Sequence, residues 1–267
     1  MNTIAFHCSS FVAQQCGYHP HNQWADCVRA SSEYYRPLET FAARFELLIL
    51  TVRALDYDAL DVWQAGQLDW RWATPDHIDL ARDLLTKHNL TLTSYAGEFG
   101  VTRQEFLDAC AVARGIRAAI LSGTTRLLFN ERAFVIETLH TFDLKLAIEN
   151  HPETSAQEML DQIGDGGAGR IGTAVDTGWY ATRGYAVPRA IHELGAHILH
   201  VHLKDVLAGA EHINCGYGKG IVPLEASVRA LRAIGYQGVI SVEEHTLDHD
   251  PTSELQAALP LVRAWLA

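Results

Sequence analysis

The sequence predicts an α/β protein built as a single (β/α)8 TIM barrel, and two observations lead there. Apolar runs of strand length alternate with stretches of helical periodicity along all 267 residues. In the second half, four residues able to bind a cation lie at or near the ends of four successive apolar runs: Glu149 in LAIEN, Asp176 in GTAVD, His202 in ILHVHLKD and Glu243 in VISVE. They are spaced roughly 25 to 40 residues apart, about one strand, helix and strand unit of a parallel sheet. Periodicity alone also allows an open doubly wound sheet. Residues at the carboxyl ends of strands five to eight converge only when the sheet curves closed, so the barrel is preferred.

The elements follow in order. Thr3 to Cys8 reads as the first strand, with His7 assigned to the barrel wall or floor. The segment from Ser9 to Arg36 is too long for a routine connection and carries Tyr18, His19, His21, Trp24, Tyr34 and Tyr35. Long loops of this kind are often functional; a loop over about 9–36 suits either a lid on a pocket or an insertion packed on itself. After Pro37, Leu38, Phe41, Ala42, Phe45, Leu48, Ile49, Val52 and Leu55 recur at helical spacing, and Ala59 to Trp63 gives strand two. Thr74 and Pro75 open the next helix, with Ile78, Ala81, Leu84 and Leu85 on one face, and Leu90 to Tyr95 gives strand three.

Thr102 with Glu105 forms a capping-box pattern for a helix ending near Gly115, and Ala118 to Leu121 is strand four. A helix around Asn130 to His140 leads to strand five, Lys145 to Glu149, and Ser155 with Glu158 supplies a further capping box. Ile171 to Asp176, Ile198 to Lys204 and Val239 to Glu243 are strands six, seven and eight, and Asp250 with Pro251 starts a terminal helix. With no linker or low-complexity tract, one domain over 1–267 is expected, near the usual size of one such barrel.

Composition narrows the function. A formal net charge of −11 argues against a nucleic-acid partner, because nonspecific affinity for phosphate backbones comes from Lys and Arg. A small neutral or polar substrate fits better. Five cysteines, an odd number without CxxC spacing, indicate neither a disulfide framework nor a zinc knuckle and read as reduced, hence cytoplasmic. The start MNTIAFHCSS lacks signal-peptide character, and no window approaches the roughly 18 apolar residues of a membrane span.

Alternation along a strand puts His200, His202 and Lys204 on one face, and Ser241, Glu243 and His245 on another. Inward polar runs at the carboxyl ends of barrel strands mark an active-site mouth. Three carboxylates and one imidazole suit a single divalent cation, manganese or magnesium first, with cobalt, iron or zinc as alternatives, and leave positions open for substrate. His151 and His245, each two residues beyond a glutamate, are candidate bases or acids. Lys204, Trp63, Gln64 and Glu98 are candidates for contact with a sugar-like ligand.

IENHP at Glu149, DTGW at Asp176, HVHLKD at His202, the YGKG turn after it and SVEE at Glu243 resemble the xylose-isomerase-like barrels over the whole chain. That family includes sugar isomerases, ketose 3-epimerases, inosose dehydratase and endonuclease IV. The resemblance implies that Glu149, Asp176, His202 and Glu243 hold one divalent metal, with manganese favoured. It also implies that Glu149 and Glu243 act as the acid/base pair on a ketose. A proton beside a carbonyl is too weakly acidic for a carboxylate unless the developing oxyanion is stabilised.

Two positions depart from the epimerase pattern: Trp179 stands where those enzymes commonly carry a histidine, and Ala208 where they tend to carry an arginine. DTGW and HVHLKD look more like inosose dehydratases and the barrels that cleave 3-keto-glycosides, including C-glycoside deglycosidases. These departures favour the elimination chemistry of a lyase, while the leading expectation from the ligand set is a metal-dependent isomerase or epimerase of a keto sugar or polyol, with Trp179 also at the substrate. The alternative is a lyase using the same proton abstraction. A noncatalytic metal-binding subunit ranks below both, and the resemblance leaves room for a homo-oligomer or a smaller β-rich partner subunit. An endonuclease would need further ligands and a basic groove, neither of which is visible.

Overall fold

The protein was analysed as a computed structural model that describes residues 2–209 and 211–267. Eight parallel strands close into a barrel: β1 Thr3–His7, β2 Ala59–Trp63, β3 Thr91–Glu98, β4 Ile120–Thr124, β5 Lys145–Glu149, β6 Ile171–Asp176, β7 Ile198–Leu203 and β8 Val239–Val242. Each strand pairs with its sequence neighbours, and β1 closes the ring on β8 with Phe6 opposite Val242. The barrel expectation therefore holds. Burial on both faces explains why the strands read as near-continuous apolar runs. Helices at Leu38–Ala54, Pro75–Lys87, Arg103–Gly115, Arg132–Thr141, Ala156–Ile163, Val187–Leu194, Leu224–Ala233 and Thr252–Leu266 surround it. Phe41, Phe45, Ile49 and Val52 of the first of these are fully buried, as their spacing requires.

The strand bounds differ from expectation at β3 and β4. β3 continues past Tyr95 to Glu98 because Ala96, Gly97 and Glu98 pair with Ser122, Gly123 and Thr124 of β4. Gly97 and Gly123 have φ of 140° and 148°, and a Cβ on Gly123 would lie 1.9 Å from the Gly97 carbonyl oxygen. The pair is a close backbone approach that weak β propensity hides in the sequence. β4 starts at Ile120, two residues late, because Ala118 N donates to Ala113 O and so still belongs to the end of the preceding helix.

Caps at Thr74, Thr102 and Ser155 form as the sequence indicates. At Ser155 the box is half made, since Glu158 Oε2 accepts from Thr154 N, one residue further out. The segment 9–36 is not a bare loop: it contains turns at Cys8–Phe11 and Gln14–Cys16 and a helix at Trp24–Tyr35. His19 N and Asn22 Nδ2 each donate to Leu247 O at 2.9 Å, pinning this segment to the chain beyond β8. No helix among the described residues is long and apolar enough to cross a membrane.

Candidate metal centre and its cavity

The carboxyl ends of β5 to β8 bring Glu149, Asp176, His202 and Glu243 together, with one donor atom of each within 4.8 Å of the others. Two reciprocal clamps set the spacing of these strand ends. Asn150 Nδ2 donates to Asp176 O at 3.0 Å while Asp176 N donates to Asn150 Oδ1 at 2.9 Å. Thr177 Oγ1 donates to Lys204 O and accepts from Lys204 N, both at 2.8 Å. Asp176 Oδ1 caps the short helix Thr177–Thr182 by accepting from Trp179 N at 2.9 Å, which leaves Oδ2 for the centre.

His202 is oriented from behind. Its Nε2 lies 3.0 Å from Ser122 Oγ, and its Nδ1 bonds Glu149 Oε1 and stands 3.7 Å from Glu243 Oε2. Such partners fix the orientation of a ligating imidazole. Lys204 Nζ is 2.9 Å from Asp176 Oδ2 and 3.3 Å from Glu243 Oε2. These are charge contacts without hydrogen-bond angles, and both oxygens remain buried without a hydrogen-bond donor.

The electrostatics call for positive charge. Burial opposes ionising Glu149 and Glu243, yet their basic neighbours outweigh it and hold both below the usual carboxylate range: His151 and His202 for Glu149, and Lys204 first for Glu243. Burial likewise opposes charging His202, and the carboxylates of Glu149 and Glu243 override it, raising the imidazole to about 10. A proton on His202 and the Lys204 ammonium thus stand where three buried carboxylates need a cation. Three oxygen donors, one imidazole and two undonated oxygens fit a divalent metal.

The centre opens into a cavity of about 1250 Å³. The candidate acid, base and substrate residues line it, namely His151, His245, Trp63, Gln64, Glu98, Trp179 and Lys204, together with Glu149, His202 and Glu243. His151 Nε2 is 3.4 Å from Glu149 Oε2, and His245 Nε2 is 2.6 Å from Glu243 Oε1. Gln64 is buried, with Oε1 accepting from Glu98 N and Nε2 unpartnered. Trp24, from the 9–36 segment, has its ring 5.7 Å from that of Trp63 and 4.9 Å from that of His245.

Sequence reasoning misplaced His7 and missed several residues. Instead of belonging to the barrel floor or wall alone, His7 ends β1, which closes against β8, so its ring packs 4.7 Å from His202 and lines the cavity. Ser122 acts across the barrel on His202 and Asn150 on Asp176 of the adjacent strand, and neither carries a local signal, although Asn150 sits inside the quoted IENHP motif. His212 rises on a hairpin, Asp205–Val206 with Asn214–Cys215, and stacks on Trp179 at 3.7 Å and 6°. Asp205 holds the glycine turn behind that hairpin by accepting from Gly218 N, Gly220 N and Val222 N. Burial lowers His212 to about 4, so it is neutral.

The family described as xylose isomerase-like TIM barrel matches residues 49–265, and the chain belongs to it. Among solved structures the chain is similar to an L-ribulose 3-epimerase at 17% identity, covering 100% of this chain and 95% of that one with a TM-score of 0.71. It is also similar to a D-allulose 3-epimerase from Methylomonas sp. at 14% identity, 99% and 98% coverage and a TM-score of 0.70. At these identities the likeness establishes the fold. An uncharacterized protein of Methanocaldococcus jannaschii is 24% identical over 127 residues, a match spanning 45% of this chain and 43% of that relative's length.

Proposed function

We propose that this protein is a divalent-metal-dependent isomerase or epimerase of a keto sugar or related polyol, working by proton abstraction from the carbon beside the carbonyl. One observation carries the reading: Glu149, Asp176, His202 and Glu243 meet at the mouth of a large cavity with undonated carboxylate oxygens. That the chain resembles structures named as sugar 3-epimerases agrees with it.

Glu149, Asp176, His202 and Glu243 would hold the cation, manganese before magnesium, cobalt, iron or zinc. When bound, it supplies Lewis-acid polarisation of the substrate's carbonyl, which lowers the barrier to removing the neighbouring proton. Glu149 and Glu243 are ionised at neutral pH and can each accept a proton. His151 and His245, in contact with these carboxylates, can relay it. Lys204 offsets the negative charge of the centre, while Trp63, Gln64, Glu98 and Trp179 hold the sugar against the cavity wall. The 9–36 segment, through Trp24, narrows the entrance and excludes water.

A second reading, elimination by a lyase, is favoured by a specific observation. His151 stands beside both Glu149 and Trp179, with its ring 5.5 Å from the indole, where an imidazole can protonate a leaving group. The test is a screen of free ketoses, inososes and 3-keto-glycosides with added manganese, followed by mass spectrometry in deuterated water. Deuterium uptake with otherwise unchanged mass is expected; loss of water or an aglycone selects elimination, and no exchange with any of these substrates overturns both.

A further inference from the structure

Beside the centre described above, a second cluster of donors converges on the other oxygen of Glu243. His7 Nδ1, His245 Nε2 and a Glu243 carboxylate oxygen lie within 4.8 Å of one another. The carboxylate is divided between two surroundings. Its Oε2 faces His202 and Lys204, at 3.7 and 3.3 Å. Its Oε1 faces His245 Nε2 at 2.6 Å and His7 Nδ1 at 3.7 Å.

Ser9 Oγ sits among the same atoms, in contact with both ring nitrogens and 3.3 Å from Glu243 Oε1. A hydroxyl has one proton to donate, and here two ring nitrogens and a carboxylate oxygen crowd around it. The side chains of His7 and Glu243 are each only 3% exposed, and both belong to strand ends fixed by the β1 to β8 pairing.

We propose that His7, His245 and Glu243 form a second divalent-cation site, with Glu243 bridging it to the first centre. The inference rests on the metal-binding part of the function proposed above. Two imidazoles and one carboxylate are softer than three carboxylates and one imidazole, so this site takes zinc, cobalt or iron where the first takes manganese or magnesium. Carboxylates shared by two cations are a feature of two-metal enzymes. A cation at this site also withdraws Glu243 from proton transfer, so loading it with zinc slows turnover that manganese alone supports.

The test is metal stoichiometry, which needs no substrate. Chelator-stripped protein is loaded with manganese and then zinc, dialysed, and read by elemental mass spectrometry, with calorimetric titration of each ion. The wild type is expected to retain two cations per chain, His245→Gln and His7→Asn to retain one manganese and no zinc, and Asp176→Asn to lose the manganese and keep the zinc. Circular dichroism melting confirms that each variant is folded, and the wild-type count stands if one is not. A wild type holding one cation, unaffected by His245→Gln, overturns the second site and leaves the first; a single cation lost on His245→Gln overturns it too. Retention of neither ion overturns the metal-dependent function itself.

Discussion

Two layers of polar residues lie inside this barrel, a few ångströms apart along the strands, and they are finished differently. In the lower layer Asp61 of β2 accepts from Thr93 and Ser241 and from His200 Nε2 at 2.8 Å, so both its oxygens are satisfied, and it is fully buried. In the upper layer Asp176 Oδ2 and Glu243 Oε2 have no hydrogen-bond donor and the cavity opens beside them. Both layers combine buried carboxylate and imidazole. A carboxylate with both oxygens donated to holds strands together, whereas carboxylate oxygens left short of donors beside a cavity are built for a ligand.

That contrast can be broken most directly at the upper layer. Glu149→Gln or Glu243→Gln should lower kcat by about 10²- to 10⁴-fold, the usual scale for a positioned acid or base, with the melting temperature of the metal-free protein unchanged or raised. The readout is deuterium exchange on the substrate found by screening. The lower layer should behave in the opposite way. Asp61→Ala leaves His200 without its partner and should cost about 3–5 kcal/mol of stability, measured by denaturant titration, while the folded fraction still binds metal.

Ser122→Ala tests the join between the layers, because Ser122 touches only His202 Nε2 among the centre's residues. About 10- to 100-fold weaker manganese binding is expected by calorimetry, with little change in melting. The smallest effect concerns acid. Burial lowers His77, and lowers His212 to about 4, below the unfolded value near 6.5. The unfolded chain therefore takes up protons first, and the stability these neutral rings carry above pH 6.5 is lost as pH falls towards 4.

Burial would raise the Asp61 carboxyl, but His200 outweighs it and holds Asp61 well below the ordinary carboxylate range. Its contribution is present above the unfolded carboxylate value and lost only as pH falls below that. The metal-free melting temperature should fall in two stages, and His212→Gln should shrink the first. A single transition untouched by that change would remove the distinction between lip and floor.

Much of the upper layer was legible in the chain. Glu149 and Asp176 end their strands, and Glu243 directly follows β8, so each stands where the barrel meets its mouth. Of the lower layer, alternation placed His200 and Ser241 on inward faces, but their partner Asp61 was not legible. Asp61 and His200 are 139 residues apart, and nothing local to either foretells the other. The same holds for His7, whose role changed once β1 was seen against β8, and for His212, carried in by a hairpin too short to show periodicity.

By itself, the sequence determined the alternation of strands and helices, the caps that start the helices, and which polar residues end which apolar run. These follow from side-chain period and backbone chemistry within a few residues of each position. Only the tertiary structure decided which buried carboxylates are satisfied and which are left open, where His7, Ser122 and His212 stand, and that Glu243 faces two clusters at once. Those outcomes depend on barrel closure and on register between distant strands, where a shift of one residue exchanges the inward and outward faces.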